Sequence, residues 1–86
     1  MNITREAVAE KVGAYLRGEL PLATLVDWAE DAMQDGGFDE RDLGSIRDAV
    51  ARLGLADVRA FGLTWEDCEQ LLKRLGYHAR VDIVAA

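Results

Sequence analysis

Four apolar stripes at helical spacing run along the chain, separated by short polar or glycine-bearing breaks. Ala7, Val8, Val12, Tyr15 and Leu16 recur at steps of three and four residues after Thr4, whose hydroxyl can cap a first turn. Gly18 stops that run, so the spacing predicts a helix over 5–17. Pro21, tolerated where a helix begins, leads into Leu22, Leu25, Val26, Ala29, Ala32 and Met33, and predicts a helix over 22–34 that ends before Gly36-Gly37. Asp39 is a candidate cap for a third helix over 40–53. Phe38 and Leu43 are placed there as a hydrophobic staple, and Ile46, Val50 and Leu53 carry the face on to Gly54. Leu55 to Phe61 has room for one or two further helical turns. Thr64, with Asp67 three residues on, opens a fourth helix over 65–75 whose buried stripe is Cys68, Leu71, Leu72 and Leu75. Gly76-Tyr77 has the form of a left-handed cap with its trailing apolar contact.

The last stretch changes period. Ala79, Val81 and Ile83 alternate with Arg80 and Asp82, which predicts a strand over 79–84. A lone strand leaves its backbone unpaired, so it needs the Met1–Ile3 segment, Gly37-Phe38 or a second chain, and the last choice makes a homodimer. The other reading is a frayed end in which Val81, Ile83 and Val84 cap the helical core. The expected architecture is mostly α: a compact bundle of four helices with a short C-terminal β-strand, in one domain of 86 residues.

Composition narrows the partners. Apolar residues at 50% and charged ones at 30% suit a folded domain rather than a disordered one. A formal charge of -6 argues against nucleic acid, whose phosphates are met by a basic face, and favours a cation or a basic protein. No apolar stretch is long enough for a membrane span, and the acidity disfavours a peripheral membrane role. A single cysteine, Cys68, excludes an internal disulfide framework. Arg5, Glu6, Glu10 and Lys11 interrupt any signal-peptide core, so the expected compartment is the cytoplasm.

The acidic connector from Asp31 to Asp42 carries the most specific chemistry. On a twelve-position calcium loop Asp31, Asp35, Asp39 and Asp42 fall at positions one, five, nine and twelve, with Gly36 at the turn position and Gly37 offering a carbonyl. This stretch resembles an EF-hand. It departs from that pattern at Met33, where a soft thioether replaces an oxygen ligand, and at Asp42, a methylene shorter than the usual glutamate. The other reading is an acidic turn in which Asp39 caps the next helix and the remaining carboxylates are solvated. Asp42-Leu43-Gly44-Ser45-Ile46 also resembles the attachment motif of acyl and peptidyl carrier proteins, which would make Ser45 the phosphopantetheine site, although Gly44 stands where that motif has an acid or histidine.

Catalysis lacks parts. His78 is the lone histidine and Cys68 lies on a buried stripe, so neither a Cys-His nucleophile nor a nitrogen-and-sulfur metal cluster assembles. Trp28 has two readings. It is a core-edge residue beside Leu25, Ala29 and Ala32, or an interface anchor ringed by Asp27, Glu30, Asp31 and Asp35.

Tyr15-Leu16-Arg17-Gly18-Glu19-Leu20, then Leu25-Val26-Asp27-Trp28-Ala29, and later Leu63-Thr64-Trp65-Glu66-Asp67, resemble a family of small bacterial helical proteins. Some members of it are similar to toxin-immunity proteins, which cover the basic active surface of a nuclease-type toxin. The resemblance implies binding rather than catalysis. Charge and exposure assign the partner-binding surface to Asp27, Trp28, Glu30, Asp31 and Asp35.

Overall fold

A computed structural model describes residues 2–85. It contains β1 (Asn2–Ile3), α1 (Arg5–Leu16), α2 (Leu22–Asp35), β2 (Gly37–Phe38), α3 (Leu43–Gly54) and α4 (Trp65–Arg74), with a single 3-10 turn over Glu40–Asp42 before α3. The four expected helices are all present. Among the described residues no helix is long and apolar enough to cross a membrane.

Capping chemistry sets the helix ends. Thr4 Oγ1 accepts from the Ala7 N–H at 3.1 Å and opens α1. At α4 the box is complete: Thr64 Oγ1 accepts from the Asp67 N–H at 3.1 Å, and Asp67 Oδ2 accepts from the Thr64 N–H at 2.9 Å. That carboxylate also accepts from Arg52 Nη2 at 3.2 Å, which ties the start of α4 to α3. Gly76 takes φ 89°, the left-handed conformation that ends α4, and lets the Tyr77 N–H reach back to the Leu72 carbonyl at 2.8 Å.

The core lies where α1, α2, α3 and α4 converge. Val8 and Val12 of α1, Leu25, Ala29 and Ala32 of α2, Ile46, Val50 and Leu53 of α3, and Cys68, Leu71 and Leu72 of α4 are buried in one cluster. The most extensive packing joins α2 to α3. Arg5 fastens α1 to the far end of α4, donating from Nη1 to the Leu75 carbonyl at 3.3 Å and lying 5.6 Å from the Tyr77 ring centroid.

The sheet is not where the alternating tail predicted it. β1 pairs in parallel with β2, Asn2 opposite Gly37 and Ile3 opposite Phe38, and the Asp39 N–H extends the contact to the Ile3 carbonyl at 2.9 Å. Residues 79–84 form no strand, and the Asn2–Ile3 and Gly37–Phe38 segments named as their partners pair with each other. Met1, also named as a partner for the tail, lies outside the described residues.

Three smaller corrections follow from local sterics and exposure. α2 runs one residue further than expected, to Asp35, since nothing before Gly36-Gly37 breaks it. The third helix starts at Leu43, because Asp39 caps the 3-10 turn rather than the helix itself, accepting from the Arg41 N–H at 3.1 Å. Met33, placed on the apolar stripe of the second helix, is exposed, and so is Leu43, the residue named as a staple against Phe38.

Gly36 is where the α2–α3 connector crosses Ile3. Its φ of -80° is ordinary for any residue, so space alone requires glycine. A Cβ there would sit 2.5 Å from the Ala32 carbonyl oxygen and 3.0 Å from Ile3 Cγ1. Gly36→Ala is therefore expected to lower stability by about 1–3 kcal/mol, as overpacking does. Urea midpoints check this, and an unchanged midpoint would refute the close approach.

The lowered pKa of Asp67 adds a pH dependence. Hydrogen bonds from the Thr64 backbone N–H and hydroxyl, with the nearby Arg52 guanidinium, hold its carboxyl below the ordinary value against a smaller effect of burial. Its stabilising contribution is present above the unfolded carboxylate value of about 3.9 and is lost as pH falls through the lower folded value. Asp67→Asn should be less stable than wild type at neutral pH, with the gap closing as the pH falls below the ordinary carboxylate range. Paired denaturation curves test the sign.

Candidate functional site

The inner side of α2 carries Leu25, Val26, Ala29 and Ala32, all buried. At about 100° per residue, Asp27, Glu30, Asp31 and Asp35 then fall together on the opposite, outer side, and all four are exposed. Among the described residues no ion pair includes any of these carboxylates. Asp27, Asp31 and Asp35 follow one another at single-turn spacing, and α2 holds no lysine or arginine.

Trp28 borders this face without joining it. Its ring is partly buried against the core, and Lys11 Nζ of α1 lies 5.8 Å from the ring centroid. The core-edge position expected of Trp28 is what its packing shows, and it leaves part of the indole beside the acidic surface.

The structure does not gather the four aspartates of the connector. Asp31 and Asp35 stand on the outer side of a continuous helix, so the first half of the twelve-residue stretch is not a loop. Asp39 turns its carboxylate to Arg41, accepting from the backbone N–H at 3.1 Å and from Nη2 at 3.2 Å. Those bonds, led by the backbone one, hold its carboxyl below the usual range. Asp42 flanks α3 with no side-chain cap bond. Among the described residues no three His, Cys, Asp or Glu side chains come together to hold a metal ion.

Ser45 is exposed in the first turn of α3, next to Gly44. Cys68 is fully buried, and burial, reinforced by Asp67, pushes its thiol up to about 11. A thiol that stays protonated at neutral pH and has no route to solvent packs rather than attacks.

A groove of about 540 Å³ lies elsewhere, between α1, α4 and the tail. Ala9, Gly13, Leu16 and Leu72 line it with Trp65, and residues 77–82 run along one side. Sequence reasoning missed this groove. The trace it left is in α1, where apolar or small residues occupy more of the circumference than one stripe needs, the mark of a helix contacted on two sides. Also missed was the α3–α4 junction, where Arg52 bonds Asp67 and lies 5.8 Å from the Phe61 ring centroid.

Compared with protein families, with curated proteins and with solved structures, the chain finds no match.

With Asp31 and Asp35 held on a helix, calcium has no preformed cage to enter. Melting curves and Trp28 fluorescence in millimolar calcium are expected to coincide with those in chelator. A rise in Tm that Asp31→Ala abolishes would instead mean that the connector refolds around the ion.

Proposed function

We propose that this chain is a non-catalytic protein-binding domain that uses the outer side of α2, Asp27, Trp28, Glu30, Asp31 and Asp35, to engage a basic partner protein. The observation that carries this reading is the charge arrangement of α2. Like charges one turn apart cost roughly 0.2–0.5 kcal/mol per pair, and carboxylates in the last turn oppose the helix dipole. Asp27–Asp31 and Asp31–Asp35 are two such pairs, Asp35 ends the helix, and no base relieves either cost. A surface that serves stability alone would interleave lysines there. One held acidic at a cost in stability serves an encounter with positive charge.

The half-buried indole of Trp28 supplies a rigid apolar edge beside the carboxylates, the mix that interface centres favour. The role is that of an immunity-like inhibitor, which covers the basic active surface of a toxin and neutralises it by occupancy.

The test pairs stability with kinetics, using the products of adjacent genes as partners. Changing Asp27, Asp31 and Asp35 to asparagine together should raise the urea midpoint slightly and slow association at low salt by about tenfold or more. High salt should slow the wild type towards the variant. No binding to any adjacent gene product at low salt, or an association rate indifferent to the three substitutions, would overturn the proposal.

A further inference from the structure

The tail and the groove beside it are each left unfinished within one chain. Val81, Ile83 and Val84 are 67%, 95% and 80% exposed, an unusual state for three β-branched apolar residues in one short segment. Beyond Tyr77 no backbone N–H among the described residues reaches a backbone carbonyl. The tail nevertheless starts against the body of the domain, with Tyr77 and Ala79 packed on the core. Arg80 and Asp82 face solvent side by side, Nη2 to Oδ2 at 3.9 Å, as alternate residues of an extended segment do.

Ala79-Arg80-Val81-Asp82-Ile83 is chemically self-complementary. It reads apolar, basic, apolar, acidic, apolar, and reversal about Val81 exchanges the base with the acid. Directly opposite residues of an antiparallel pair put their side chains on the same face. Centred on Val81, such a pair sets Arg80 opposite Asp82 twice on the outer face, and Val81 opposite Val81 with Ala79 opposite Ile83 on the inner one. Sliding the register by two residues brings Arg80 opposite Arg80 or Asp82 opposite Asp82. A slip of one turns the apolar face outward. A parallel in-register pair sets like charges side by side.

We propose that two copies of this chain associate through antiparallel pairing of residues 79–83 about Val81, with Ile83 of the partner subunit seated in the groove beside Ala79. That groove is walled by Leu16, Leu72 and Trp65 with Arg17 and His78 also on its lining, so the most exposed large apolar side chain of one copy finds apolar contacts on the other. The contact uses neither α2 nor its carboxylates and stands apart from the partner-binding role.

Sedimentation equilibrium on the full chain over a concentration series tests it. The wild type should pass from one-chain to two-chain mass. Arg80→Asp, which replaces two opposite-charge pairs by two like-charge pairs, should weaken association by at least about tenfold. The double variant Arg80→Asp with Asp82→Arg restores both pairs and should return association to near the wild-type level. Ile83→Asp should weaken it without the rescue. All three positions are solvent-exposed, and helical circular dichroism confirms that each variant folds. A wild type that stays monomeric, an Arg80→Asp variant that associates unchanged, or a double variant that fails to recover would each overturn the proposal.

Discussion

Burial of one side of α2 against α3 governs what the rest of the chain can present. Leu25, Ala29 and Ala32 of α2 share one buried cluster with Ile46, Ala49, Val50 and Leu53 of α3, and every one of these is withdrawn from water. α2 is buried along one arc only, and its opposite arc stays in water. Hydrophobic burial on the inside therefore places Asp27, Glu30, Asp31 and Asp35 on the outside, and fixes Trp28 at the boundary between the two environments.

A domain this small has little core to spare, so ties at the element ends carry a larger share of its order. β1 reaches across to β2 and closes the α2–α3 connector over Ile3, which is why Gly36 has no room for a side chain. Arg5 joins the start of α1 to the end of α4, and Arg52 joins α3 to the capping box of α4. Each tie spans elements that share few other polar contacts. The two arginine ties hold α4 to α1 at one end and to α3 at the other.

Helical elements were legible in the sequence because their evidence is redundant. Stripe, cap and stop agree at α1 and α4, where Thr4, Thr64, Gly18 and Gly76 act as their residue types suggest. The strands were not legible, since two residues give no period to detect and their pairing joins positions 35 apart in sequence. The tail failed in the opposite way. Its alternation is real, but a strand is a property of a pair, and the alternation of 79–83 says nothing about which backbone lies beside it. The aspartates of the connector show a third kind of limit. Spacing places them on a calcium template with equal ease whether the first five residues loop or coil, and helix propensity with the buried Ala32 decides for the coil. The acidic face was readable from charge and period together, whereas the groove required knowing that α4 and the tail come to lie beside α1.

Net charge links the two surfaces. A chain of charge -6 repels its own copy at long range, so any face through which it meets itself must be locally neutral or self-paired. The outer side of α2 is neither: four carboxylates against four carboxylates would be among the worst self-contacts the molecule could make. The tail is both, with one arginine and one aspartate arranged so that inversion pairs them. Repulsion between α2 faces disfavours self-association through that surface, and under the proposed tail pairing the acidic faces stay open to the basic partner proposed for them.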